Sequence, residues 1–293
     1  MTQPRETTPR QTNPRATYPP GVTCFIDTER ADVDAAAAFY GGLFGWTFED
    51  RLPPDAPARF LMAELDGLSV AGIASASSEG APPAWNTYIS VESADAIVPL
   101  VKAAGGSVLA EPFDVGPAGR MAVFADPEGA AFRVWQAGRT HGAQLVNAPG
   151  AWNWSDLETR NLEAAKAFYT AVFGWEYALV DLGQGPSAMI RVPGYGEHLE
   201  ALSPGTLARH KELGAPEGFS DAIGWMQAPS HPDGPARWAV TFAVADADDT
   251  AGRTPDLGGT VLVEPFDVPY VRLAVLKDPD GVTFAIGKFQ PPE

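Results

Sequence analysis

The sequence predicts an α+β protein built from four βαβββ units in two pairs. Three observations carry that prediction. AAAAFYGGLFGW at 35–46 returns as AAKAFYTAVFGW at 164–175. EPFDV stands at 111–115 and again at 264–268. DPEGAAFRVW at 126–135 has a near twin in DPDGVTFAIG at 278–287. Such internal self-similarity marks a repeated architecture. The motif pairs are not equally spaced, so the second half carries 24 extra residues between Trp175 and Glu264. They are assigned to residues 192–221, VPGYGEHLEALSPGTLARHKELGAPEGFSD, which have no counterpart in the first half.

Residues 1–20, rich in Pro, Thr and Arg with no apolar run, read as a disordered, solvated tail rather than a secretory signal. A first domain spans 21–137 and opens with a strand at 22–28. Asp32 then caps a helix whose apolar residues Ala36, Phe39, Tyr40, Leu43 and Phe44 share one face, and Gly45 stops it. Strands follow around 60–65 and 69–75. The pattern restarts with a strand at 87–91, a helix at 94–104 halted by Gly105-Gly106, and strands near 108–111, 121–125 and 131–136. Residues 138–150, rich in Gly, Ala and Asn, read as a linker. A second domain, 151–290, repeats the order, with Asn161 capping Ala165, Phe168, Tyr169, Val172 and Phe173, and Gly174 ending the helix. In both DPxG motifs Asp-Pro starts a tight turn and Gly129 or Gly281 supplies the positive φ that closes it. Turn chemistry is taken to account fully for Asp126 and Asp278.

Composition narrows the partners. With 20 Lys and Arg against 37 Asp and Glu, the net charge is −17, which repels nucleic-acid phosphates and anionic lipid alike. No apolar run reaches the ~18 residues of a membrane helix. Cys24 is the single cysteine, so neither an internal disulfide nor a cysteine-based zinc site can form. A cytoplasmic location is the expectation.

The doubled AFY…FGW…EPFDV…DPxG pattern resembles the vicinal oxygen chelate superfamily, which includes glyoxalases, bleomycin-resistance proteins and extradiol dioxygenases. The resemblance covers about residues 21–289. It implies two glyoxalase-like half-barrel domains, each curving a sheet around a cup that holds the ligand. It also implies, in the members that use a metal, a Glu at the position of Arg133 and His on the first strands of the paired units. The matching residues here are Phe25, Asn86 and Arg133 in the first half and Trp154, Ala239 and Ala285 in the second. None is a good ligand for a divalent cation, and a guanidinium repels one. No metal and no other cofactor is expected. His198, Glu200 and His210 in the insertion are read as solvated polar residues.

Strand alternation assigns the cup faces. The first cup is expected to be lined by Thr23, Phe25, Asp27, Asn86, Tyr88, Arg133 and Trp135. Arg133 either grips an anionic ligand group or pairs with Asp27 across the cup. The second is expected to hold Trp152, Trp154, Asp156, Thr241, Ala243, Thr283 and Ala285, with Trp225 beside them. Tryptophans beside small residues suggest a flat aromatic ligand, unless they fill their own core. Asp27, Asp156 and Tyr88 are the candidate acid–base groups. An amphipathic helix near 206–213 is placed as a lid over the second cup, or as a contact to the other half or to a second subunit in a homodimer. The expected function is metal-independent binding of a small, aromatic metabolite. The alternative is a metal-independent tailoring enzyme of secondary metabolism (isomerase, lyase, cyclase or hydrolase) with an Asp acid/base. A metal-dependent glyoxalase or dioxygenase ranks last.

Overall fold

The structure, a computed structural model, describes residues 17–76, 83–181, 186–229 and 234–290. It consists of two eight-stranded sheets with helices between them and no closed barrel. In the first domain one unit runs β1 (Thr23–Arg30), α1 (Val33–Phe44), β2 (Thr47–Asp50), β3 (Phe60–Leu65) and β4 (Leu68–Ser75). The next runs β5 (Trp85–Ser90), α2 (Ala94–Ala103), β6 (Ser107–Val115), β7 (Gly119–Ala125) and β8 (Ala131–Ala137). The sheet order is β2-β3-β4-β1-β5-β8-β7-β6. Each first strand lies parallel to the last strand of its own unit, and β1 and β5 meet antiparallel at the centre.

The second domain repeats this with β9 (Trp152–Glu158), α3 (Leu162–Phe173), β10 (Glu176–Asp181), β11 (Pro186–Arg191) and β12 (Ala222–Gln227). Between β11 and β12 the chain leaves the sheet to form α4 (Tyr195–Leu202), α5 (Thr206–Glu212) and a 3-10 turn at Phe219–Asp221. Its last unit is β13 (Arg237–Ala243), α6 (Ala247–Arg253), β14 (Thr260–Val268), β15 (Val271–Lys277) and β16 (Thr283–Phe289).

The helices form where the caps place them. The Asp32 carboxylate accepts the backbone N–H of Asp34 and Ala35, and Asn161 accepts that of Ala164. Gly45 and Gly174 end α1 and α3 at φ 76° and 71°, a left-handed geometry that glycine adopts without strain.

The helices pack across domains. The α1 face (Phe39, Tyr40, Phe44) shares one core with Phe242, Phe284 and α6 of the second domain. The α3 face (Phe168, Tyr169, Val172) shares the other with Phe124, Phe132 and α2 of the first. The paired DPxG carboxylates close both seams. Asp278 Oδ2 accepts a hydrogen bond from the Tyr40 hydroxyl (2.8 Å) and pairs with the buried Arg30 guanidinium at 2.7 Å. Asp126 Oδ2 accepts from Tyr169 at 3.3 Å. Turn chemistry is therefore only part of their role: Oδ1 holds the turn N–H groups, and Oδ2 reaches the AFY tyrosine of the other domain.

Two sequence assignments change. Residues 17–20, assigned to the tail, pack on the protein: the Tyr18 hydroxyl donates to the Ala143 carbonyl at 2.7 Å. Residues 1–16 lie outside the described part. The 138–150 segment is a strap anchored at a few buried residues rather than a free linker. Ala143 and Leu145 are buried, and Trp46 Nε1 donates to the Gly150 carbonyl at 2.6 Å.

Candidate functional site

The first cup is filled by its own side chains. β1, β5 and β8 put Asp27, Asn86, Tyr88 and Arg133 side by side, in the register Asp27↔Asn86 and Tyr88↔Arg133. Arg133 donates to Asp27 Oδ1 (2.5 Å), to the Tyr88 hydroxyl (3.0 Å) and to Glu29. Asn86 Nδ2 donates to Asp27 Oδ1 at 2.9 Å, and Tyr88 donates to Oδ2. Burial works against the Arg133 charge, yet the carboxylates of Asp27 and Glu29 hold its pKa above the usual value. Burial, followed by the Asp27 charge, pushes the Tyr88 phenol well up, so its proton stays put at neutral pH. The far end is closed by Cys24, Tyr88 and Trp135 with Tyr18 and Phe25 against them, and Trp135 Nε1 donates to the Thr140 carbonyl. Six of the seven residues predicted for this cup, Phe25, Asp27, Asn86, Tyr88, Arg133 and Trp135, are brought together, as an internally satisfied ion cluster and its aromatic wall.

The second cup keeps the acid and loses the partners. Asp156 stands where Asp27 does. Ala239, Thr241, Ala285 and Gly287 stand where Asn86, Tyr88, Arg133 and Trp135 do. Asp156 Oδ1 accepts the backbone N–H of Trp225 at 3.0 Å, and Oδ2 has no hydrogen-bond partner among the described residues. Burial without a cation, with the Glu158 charge adding to it, pushes its pKa up to about 7. Glu158 itself is buried against Arg237, Oε2 to Nε 2.8 Å. Trp154 and Trp225 are half-buried on this face, with Thr241 and Thr283. The room left by the missing tryptophan is partly taken up: a Cβ added at Gly287 would lie 3.2 Å from Leu273 and Val271 side chains.

Trp152 does not line this cup. It is 4% exposed and belongs to the core between the domains. A bulge opposite Thr241 and Phe242 gives β9 one extra residue, which reverses alternation beyond it. β1 carries the same bulge at the equivalent place, between Thr23 and Phe25. It takes Thr23 off the cup, its hydroxyl to the Ile223 carbonyl, and brings Cys24 against Tyr88 and Trp135.

The insertion lies over the second cup. Phe219 sits edge-on to Trp154 with centroids 6.0 Å apart, and His210 sits edge-on to Phe219 at 5.3 Å. His210 Nδ1 bonds the Ser220 hydroxyl at 2.9 Å, and burial lowers its pKa. The hydroxyl of Tyr270, in the β14–β15 turn, donates to the Gly214 carbonyl, tying the insertion to the opposite rim. A cavity of about 310 Å³ remains at the β10–β11 side, between Met189, Arg191, Pro216 and Glu217. Phe219 and Arg191 escaped sequence reasoning: one lies in a segment with no repeat to compare it with, the other at its border.

A divalent cation does not fit either cup. Arg133 occupies the first with its own positive charge, and Ala239 and Ala285 offer no donor in the second. Among the described residues no three His, Cys, Asp or Glu side chains converge. His198 bonds the Thr17 carbonyl and His210 bonds Ser220, while His231 lies outside the described residues.

Paired βαβββ units with their cups on the sheet faces define a class of small-molecule proteins rather than one chemistry. The family model for the Glyoxalase/Bleomycin resistance protein/Dioxygenase superfamily matches residues 30–134 and 153–286, and the chain belongs to that superfamily. It is similar to the "Putative glyoxylase CFP32" of Mycobacterium tuberculosis, 38% identical over 278 residues, covering 94% of this chain and 97% of that protein. It is also similar to the anthracycline biosynthesis protein DnrV of Streptomyces peucetius, 35% identical over 283 residues, covering 92% and 94%. Among solved structures, the Mn(II)-bound glyoxalase from Novosphingobium aromaticivorans shares the fold at TM-score 0.57 and 17% identity, over 92% of this chain and 82% of that one.

Proposed function

We propose that this chain binds a small, flat aromatic molecule in its second cup without a metal. One observation carries the reading. At four matched strand positions the first cup has Asn, Tyr, Arg and Trp where the second has Ala, Thr, Ala and Gly, so the second carries much smaller side chains beside its carboxylate. Trp154 and Trp225 offer rings for stacking, and Phe219 covers them from the insertion. The relation to an anthracycline biosynthesis protein is consistent with an aromatic ligand. The lone buried Cys24 suits a reducing, cytoplasmic setting. Native mass spectrometry with metal analysis, on protein from its natural host, tests the reading. An organic mass in substoichiometric or full occupancy, with no stoichiometric transition metal, is the expected result. A tightly bound transition metal overturns it.

Asp156 favours a second reading, metal-independent acid–base catalysis on the same ligand. A carboxyl titrating near 7, with one oxygen free of partners among the described residues, takes or gives a proton at neutral pH. Isomerisation, elimination, cyclisation and hydrolysis are the reaction classes it serves. In the first cup, Asp27 and Tyr88 are committed to Arg133, which leaves Asp156 as the group for this role. Asp156→Asn retains binding and loses turnover if this reading holds. Undiminished turnover in that variant refutes it.

A further inference from the structure

We infer that Arg191 is an anion-recognising group of the second cup, so that the aromatic ligand carries a carboxylate or similar acid at one end. The inference rests on the ligand site proposed above and adds the ligand's charge. Arg191 ends β11 on the same face as Met189, whose neighbours Ala188 and Ile190 point into the core instead. Met189 is paired with Trp225, whose N–H holds Asp156, so one row of neighbours crosses the cup from Arg191 towards the acid. With strands about 4.8 Å apart and about 3.3 Å per residue, the direct span from Arg191 to the acid is roughly 12 Å, the reach of a fused polycyclic ring system.

The Arg191 guanidinium is underused. Among the described residues its one ion pair is a 3.3 Å contact to Glu176, whose side chain is 59% exposed, and its Nε is buried with no hydrogen-bond partner. Glu217, on the opposite wall of the 310 Å³ cavity, is exposed and makes no ion pair with it. The other arginines on this side are engaged: Arg237 with Glu158, and Arg272 with Asp248 and Asp267. Gly218 makes the arrangement possible, because a Cβ there would strike the guanidinium. A planar five-donor cation held in this way on a cavity wall matches a carboxylate, which it can bind bidentately. Against a net charge of −17, preference for an anionic ligand has to come from such a local cation.

The test compares two probes, anthraquinone-2-carboxylate and the isosteric neutral anthraquinone-2-carboxamide, by calorimetry on the full chain. Wild type is expected to bind the carboxylate roughly tenfold to a hundredfold more tightly, the worth of a charged hydrogen bond. Arg191→Gln is expected to lose that preference while keeping its affinity for the amide, and Arg191→Lys to keep part of it. Equal binding of both probes by wild type, or a preference that survives in Arg191→Gln, overturns the role of Arg191 and leaves the aromatic cup standing. Failure of both probes to bind overturns the cup reading and this inference together.

Discussion

Replacing Asp156 with Asn should make the protein more stable at pH 8, although it removes the group to which the second reading above assigns acid–base chemistry. In the unfolded chain this carboxyl titrates near 3.8, and in the fold near 7. Between those values the folded state holds a proton that the unfolded state has released. Stability therefore falls as pH rises through that window. The penalty is absent below the lower value and complete above the upper one. A shift from 3.8 to about 7 corresponds to about 4 kcal/mol. Asn keeps an oxygen for the Trp225 N–H and cannot ionise, so it escapes the penalty. Urea unfolding of wild type and Asp156→Asn across this pH range measures the difference directly. The variant should gain up to about 4 kcal/mol above neutrality, and the gain should fade towards pH 4. A pH-independent difference, or a variant less stable at pH 8, would show that Asp156 is paired or well solvated in the fold.

The remaining expectations concern the seams and the two cups. Arg30→Met should cost about 3–5 kcal/mol in equilibrium unfolding, because it strands the buried Asp278 carboxylate. Tyr40→Phe should cost about 1–3 kcal/mol, since Asp278 and Trp85 Nε1 both lose a partner, and Tyr169→Phe should cost less, Asp126 having the longer bond. Arg133→Ala should destabilise by about 3–5 kcal/mol near neutral pH by removing the cation that Asp27 and Glu29 share, yet leave calorimetric affinity at the second cup unchanged. Trp154→Ala should weaken an aromatic probe by roughly twofold to tenfold with little change in the unfolding midpoint. Dialysis against a strong chelator should alter neither the midpoint nor probe affinity, and loss of either would point to a metal.

Much of the fold was legible because duplication prints the same signals twice. Asp32 and Asn161, or Gly45 and Gly174, confirm one another as helix ends by position alone. Cup membership was legible wherever strict alternation held, as for Asp27, Asn86, Arg133 and Asp156. It failed at Trp152 and Thr23 for one physical reason. A bulge adds a residue to one strand only, and nothing in TCF or WNW signals it. The strap at 138–150 misled through composition, since small residues suit close packing against a neighbouring domain as well as they suit a loose linker. The seam bonds of Asp126 and Asp278 were hidden because a turn motif explains half of each carboxylate, and the other half depends on which domain its tyrosine meets.

The two halves treat the same carboxylate differently, position by position. Both keep an Asp on the central strand followed by a Glu two residues on, Asp27 and Glu29 or Asp156 and Glu158. A buried carboxylate without a cation is costly, so each half had to answer it. The first answers with Arg133, Tyr88 and Asn86, which satisfy the acid and fill the space a ligand would use. The second answers for Glu158 through Arg237 on the neighbouring strand and leaves Asp156 with one backbone N–H. That choice is expected to weaken the fold at neutral pH and leaves a titratable oxygen in the second cup. The insertion that supplies Phe219 occurs only in the half that left its carboxylate unpaired. On the reading proposed above, stability and binding sit in different copies of the same sheet, and the Arg133 position, Ala285 in the second copy, is where the two differ most in charge.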